Sequence, residues 1–266
     1  SYDRALEGPR GDLDAFRAVR NRWTEITGIP NPLTGVHLTE KGVETLVDFL
    51  AAAREGIGNE IPLATDHFGP FGVEDVERVL SRIERFGLAW FEDPVPWQFT
   101  ELYARLSRGS SVPLCTGEDI FLEEGFRPLL EANAVSLIHP DVLTAGGLME
   151  TKRIGDAAAR RGIGMVLHMA ESPIGCMAAV HAAAASESFI ALEYHSADVP
   201  WWDDLVTGLP RPLVRDGFIT VPDAPGLGIE SLVDEVIEKH LDPASDGLWR
   251  PTERWDGEWS HDRPWS

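Results

Sequence analysis

Six short apolar runs recur along the chain, and each ends in or just before an ionisable residue. The runs cover 61–65, 88–91, 112–116, 135–139, 164–167 and 189–192; the residues at their C-terminal ends are Asp66, Glu92, Glu118, Asp141, His168 and Glu193. Successive members of that set are 26, 26, 23, 27 and 25 residues apart. Runs of this length with polarity confined to their ends read as strands buried on both faces. Between them the spacing is helical: Val76, Val79, Leu80 and Ile83 follow the i, i+3, i+4, i+7 pattern, as do Val43, Leu46, Val47 and Leu50 earlier on. Strand–helix alternation predicts parallel strands joined by helical crossovers, an α/β fold. One ionisable group per βα step, always at the strand's C-terminal end, converges on one mouth of a (β/α) barrel. No GxGxxG opens a helix, so a dinucleotide-binding sheet has no support.

The length of 266 residues suits one large core, and 43% apolar with 25% charged residues excludes the disordered and fibrous classes. A formal charge of −21 argues against nucleic acid and anionic membrane as partners, since both need clustered Lys and Arg. No apolar run reaches the ~18–20 residues that span a bilayer, and no basic-then-apolar leader is read at the start. The two cysteines, Cys115 and Cys176, form neither a disulfide framework nor a metal knuckle. The expected compartment is the cytoplasm.

Outside the alternating region the signals are weaker. Residues 12–28 read as a helix and 29–34, with two prolines, as a loop. Residues 213–221 read as a hairpin turning at Asp216 and Gly217, and 231–241 as a helix. Trp249, Trp255, Trp259 and Trp265 stand among charges and prolines, as residues that clamp a tail to the body or to a neighbouring subunit. The expected organisation is an irregular or helical segment over 1–35, a barrel over 36–212, and a hairpin, helix and Trp-rich tail over 213–266.

Asp66, Glu92 and Glu118, on successive strands, offer hard oxygen ligands to one divalent cation, and Mg²⁺ suits such a set. Each alone is as well explained as a strand-end cap or salt-bridge partner; three in register favour the metal. Asp141 and His168 end adjacent strands, so the carboxylate can orient the imidazole for general acid–base work. Glu193, on the next strand, is placed to donate a hydrogen bond or proton to a substrate carboxylate oxygen. His67 is expected to point away from Asp66 as a structural residue. His195, two residues past Glu193, reads equally as a substrate contact or a mouth-lining hydrogen bond. Trp97 either lines the pocket or packs under a loop.

The stretches LATDHFG, AWFEDPVPW, PLCTGEDIF, IHPDVLTAGGLMETKRI and MVLHMAESPIGCMAAVHAAAA resemble the barrel of the mandelate racemase/muconate lactonizing branch of the enolase superfamily. DGFITVPDAPGLGIE resembles that branch's post-barrel hairpin, and the resemblance runs over about residues 36–232. It implies a TIM-type barrel, Mg²⁺ ligands at Asp66, Glu92 and Glu118, a His168–Asp141 dyad and an electrophilic Glu193. The implied reaction abstracts the proton α to a carboxylate, with the metal stabilising the resulting enediolate. The implied substrate is a small-molecule carboxylate, an acid sugar such as an aldonate or aldarate. Dehydration to a 2-keto-3-deoxy acid is expected first and racemisation or epimerisation second, in a homo-oligomer.

The resemblance has gaps. Nothing in the chain corresponds to the branch's N-terminal capping domain, and its first two barrel strands are not apparent. The branch often carries lysines at the end of its second strand; here Lys41, Lys152 and Lys239 all fall on predicted helices. Phe68 stands where Asn is frequent. A six-stranded barrel would leave two open sheet edges, so missing sequence is expected, the alternative being an inactive, metal-binding remnant.

Overall fold

The computed structural model describes residues 38–66, 71–243 and 247–248. The expected helix over 12–28, the loop over 29–34, His67, Phe68 and the tail tryptophans lie outside them. Five short strands, β1 (Phe91–Glu92), β2 (Leu114–Thr116), β3 (Leu137–Ile138), β4 (Gly164–Leu167) and β5 (Phe189–Leu192), form one sheet in chain order. Helices α1 (Glu40–Ile57), α2 (Val73–Ile83), α3 (Thr100–Gly109), α4 (Leu122–Glu131), α5 (Val142–Ala145), α6 (Leu148–Ala159) and α7 (Pro173–Ala184) alternate with the strands, and α8 (Asp234–His240) follows. This is the α/β order expected of sequential βα steps. Among the described residues no helix is long and apolar enough to cross a membrane.

The chain divides into two compact units. The first takes the described residues up to 116, with 128–137. Thr39 caps α1 by accepting the Gly42 N–H at 3.1 Å, and Gly58, at φ 69°, ends it. The apolar stripes on α1 and α2 bury Val43, Val47, Leu50, Val76, Val79, Leu80 and Ile83. Arg54 ties the end of α1 to the turn that follows α2 by donating to the carbonyls of Phe86 and Gly87 at 3.0 and 3.1 Å. β1 and β2 pair in parallel, with Phe91 opposite Leu114 and Glu92 opposite Cys115.

The first apolar run, 61–65, forms less strand than expected. It meets the 89–92 segment through Ala89 N–H to Leu63 O at 2.8 Å, Thr65 N–H to Trp90 O at 3.2 Å and Glu92 N–H to Thr65 O at 2.9 Å. The Ile61 carbonyl is taken by Arg54 Nη1 at 2.9 Å, so backbone pairing begins only after it. Asp66 therefore still follows a paired residue, Thr65, bridged to Phe91.

The second unit takes 117–127 and the described residues from 138 onward. β4 and β5 run parallel, and their register shifts between Met165 and Val166. The mostly apolar α7 is buried through Gly175, Cys176, Met177, Ala178, Ala179 and Val180, as expected of a helix without a polar face. Met169, Cys176, Met177, Val180, Trp202 and Leu213 form its core. The hairpin is present: Arg215 and Phe218 exchange both backbone hydrogen bonds at 2.9 Å, around Asp216 and Gly217 at φ 53° and 79°. The expected helix over 231–241 starts later, because Ser231 and Leu232 form strand β7 (Ser231–Leu232), antiparallel to β6 (Val206–Thr207).

Candidate active site

Asp141 is the best-held member of the set. It follows β3 and caps α5: Oδ1 accepts the Leu143 and Thr144 N–H groups at 2.6 and 3.0 Å. That leaves Oδ2 for His168 Nδ1 at 2.8 Å. Because the carboxylate only accepts, the imidazole carries hydrogen on Nδ1 and turns Nε2 outward. Asp141 and His168 also form a parallel backbone bridge, with His168 N–H on Pro140 O at 3.2 Å, so the backbone sets the pair's spacing.

Nε2 of His168 lies 3.2 Å from Glu118 Oε2 and 3.8 Å from Glu193 Oε2. Burial opposes the charged imidazole, yet the hydrogen bond to Asp141 and the charges of Glu118, Glu193 and Asp141 raise its pKa to about 9. Burial likewise pushes the Asp141 carboxyl up, but hydrogen bonds from His168, Glu171 and the Thr144 N–H outweigh it and hold Asp141 below its ordinary value. The arrangement suits proton transfer: Nδ1 is fixed on Asp141, and Nε2 faces Glu118 and Glu193.

Glu193, one residue past β5, accepts the Met169 N–H through Oε2 at 3.3 Å and meets His195 Nε2 through Oε1 at 2.5 Å. His195, about half exposed, is accordingly a partner of Glu193 at the rim. The buried His139 packs edge-to-face on His168 with centroids 5.7 Å apart, its Nε2 3.8 Å from Glu193 Oε2.

Glu92 is 2% exposed, and the Trp90 indole N–H donates to its Oε2 at 3.2 Å. Glu118 follows Gly117, whose φ of 148° and closeness to the His139 backbone leave no room for a side chain: an added Cβ would lie 3.0 Å from His139 N and C, and 2.8 Å from the Phe126 ring. Asp66 and Glu92, both in the first unit, offer carboxylate oxygens within 4.8 Å of each other. Two carboxylates so close repel one another unless a proton or cation sits between them. Two hard oxygens on one Mg²⁺ at ~2.1 Å lie up to ~4 Å apart, so small side-chain rotations fit the pair to that ion.

Of the six residues singled out by spacing, Asp66 and Glu92 come together in the first unit, and Glu118, Asp141, His168 and Glu193 in the second. Among the described residues no lysine stands at a strand end: Lys152 pairs with Asp156 on α6, Lys41 lies on α1 and Lys239 on α8. Trp97 is half-buried, and its indole N–H is sealed from solvent without a hydrogen-bond partner among the described residues. Two neighbours of His168 were not singled out by spacing, His139 and Glu171. Their one signal is adjacency, since they stand two residues before Asp141 and three after His168.

Residues 9–235 match the family described as enolase C-terminal domain-like. The D-xylonate dehydratase of Haloferax volcanii is 35% identical over 205 residues, covering 77% of this chain and 49% of that protein. The arabinonate dehydratase of Saccharolobus solfataricus is 27% identical over 213 residues, covering 77% and 54%. The chain spans about half the length of these curated relatives. The crystal structure of a mandelate racemase/muconate lactonizing enzyme-like protein from Rubrobacter xylanophilus superimposes with a TM-score of 0.75 at 33% identity, over 88% of this chain and 63% of that one.

Proposed function

The chain belongs to the enolase superfamily, as its C-terminal domain-like part, and we propose that it carries the catalytic face of a Mg²⁺-dependent acid-sugar dehydratase. The observation that carries this reading is the placing of His168: Nδ1 on a capped, buried Asp141, and Nε2 beside Glu118. Two relatives named as dehydratases of xylonate and arabinonate support the substrate class, an aldonate or aldarate.

Asp66, Glu92 and Glu118 are the residues that would hold the cation. When bound, it supplies positive charge against the carboxylates and against the charge that grows on the substrate carboxylate as its α-proton leaves. The chain's own residues do the rest. Nε2 of His168 takes the α-proton in the neutral form that a cation offsetting the charge of Glu118 would favour; the imidazolium then gives a proton to the β-hydroxyl oxygen. The electrons of the α C–H bond become the new double bond, the β C–O bond breaks, water leaves, and the enol becomes a 2-keto-3-deoxy acid. Asp141 stays ionised and holds the ring through both transfers. Glu193, gripped by the Met169 N–H and His195, is the group placed to hydrogen-bond a substrate carboxylate oxygen. The same reading sets the protein in the cytoplasm as a homo-oligomer.

The test uses the full-length protein containing this chain, Mg²⁺ and a panel of aldonates and aldarates, followed for 2-keto-3-deoxy product. Water loss from at least one acid is expected. Configuration change without water loss would replace dehydration with racemisation or epimerisation. Mg²⁺ binding with no turnover on any acid would overturn the enzymatic reading in favour of a metal-binding remnant.

A further inference from the structure

Glu171 has no part in the chemistry above, yet it sits against the residues that perform it. Its carboxyl, Asp141 and His168 offer atoms within 4.8 Å of one another, and its Oε1 lies 3.8 Å from His168 Nδ1. Its position is built. The Trp202 indole donates to the Glu171 carbonyl at 3.1 Å, which pins the backbone just before α7. Gly175, one turn on, makes room for the side chain: a Cβ there would lie 3.2 Å from Glu171 Oε2 and 3.3 Å from its Cβ. Leu143 Cδ1, 3.1 Å from the same point, forms the other wall.

Two carboxyl groups this close, with oxygens within 4.8 Å of each other, are held together by a proton between them. Asp141 is the one less able to hold it, because Oδ1 already accepts two backbone N–H groups and Oδ2 faces His168. Glu171 holds it: burial first, then the hydrogen bond to Asp141 and that residue's charge, raise its pKa to about 7. The groups facing it are Asp141 before α5, His168 after β4 and Cys176 on α7.

We propose that Glu171 is a positioning residue for the His168–Asp141 pair, its carboxylic acid hydrogen-bonding Asp141 and fixing the rotamer that receives His168 Nδ1. So held, Asp141 keeps His168 Nδ1 at 2.8 Å and the ring's Nε2 turned to the site, where the dehydratase reading needs it. The catalytic consequence rests on the dehydratase reading; the hydrogen bond does not.

The experiment therefore reads both in the full-length protein. NMR follows the low-field resonance of the His168 Nδ1 proton, and steady-state kinetics follow kcat and KM on whichever acid is turned over. In Glu171→Ala the resonance should move or broaden, and kcat should fall by about tenfold or more with KM changed less than about threefold, the loss of one supporting hydrogen bond. Glu171→Gln, which keeps a donor of the same shape, should restore both. A wild-type resonance and kcat in Glu171→Ala would overturn the proposal. So would a Glu171→Gln variant as impaired as Glu171→Ala, with a matching fall in melting temperature, since that marks a packing role. If the wild-type protein dehydrates nothing, the function reading fails while the resonance still decides the role of Glu171.

Discussion

Glu118 and His168 show how far a single side chain's placing depends on residues that take no part in chemistry. Glu118 points where it does because Gly117 tolerates φ 148° against the His139 backbone, which a Cβ would crowd at 3.0 Å. Gly117→Ala should displace Glu118 and weaken Mg²⁺ binding by about tenfold or more, the scale of disturbing a ligand's support. Isothermal titration of the variant and the wild type measures it, with circular dichroism confirming that both are folded. Unchanged affinity would mean that Glu118 is not a ligand. At this scale the sequence told part of the story. A period of about 25 residues finds strand-end acids and the histidine, because all occupy equivalent places on successive βα steps. It cannot find His139 or Glu171, which reach the site from off-period positions.

The elements hold those residues through their own ends. The α5 terminus needs a cap, and Asp141 supplies it while presenting its other oxygen to His168. The N-terminal turn of α4 is met from outside: Glu150 Oε1 on α6 accepts the Glu123 N–H at 2.8 Å, and its Oε2 pairs with Arg153 at 2.9 Å. Glu150→Ala should lower stability by about 1 kcal/mol, the worth of one cap, measured by chemical denaturation at neutral pH. The hydrogen bond from the Glu123 N–H holds the Glu150 pKa below its usual 4.5, against the burial that raises it, with Arg153 adding to the lowering. Its contribution is therefore full above that value and lost as pH falls below it, so variant and wild type should converge in acid. Strands and helices with local signals were legible, the two-residue β1 and β3 among them; β6 and β7 were not. β6 and β7 exist only through each other across a long loop, and pairing at that distance leaves no periodic trace.

At the scale of the whole molecule, the expected strand order and the family agree, and both units serve the same logic of placing acids after strands. The surplus of acids behind the charge of −21 argues against a polyanion as partner. The substrate was not legible in the residues, because a barrel mouth fixes the reaction chemistry while specificity sits in loops and lids that vary independently of it. What the mouth claims most directly is proton transfer by His168 at the carbon beside a carboxylate. The decisive measurement is loss of the substrate α-proton by NMR, in D₂O with Mg²⁺, for the full-length wild-type protein and its His168→Asn variant, on the acid sugar that the wild type accepts. The account predicts α-proton loss in the wild type with deuterium entering the product at C3, a fall of about 10²-fold or more in the variant, and Mg²⁺ affinity equal in the two. Loss of the α-proton that survives in His168→Asn would contradict it and place the proton transfer on another residue.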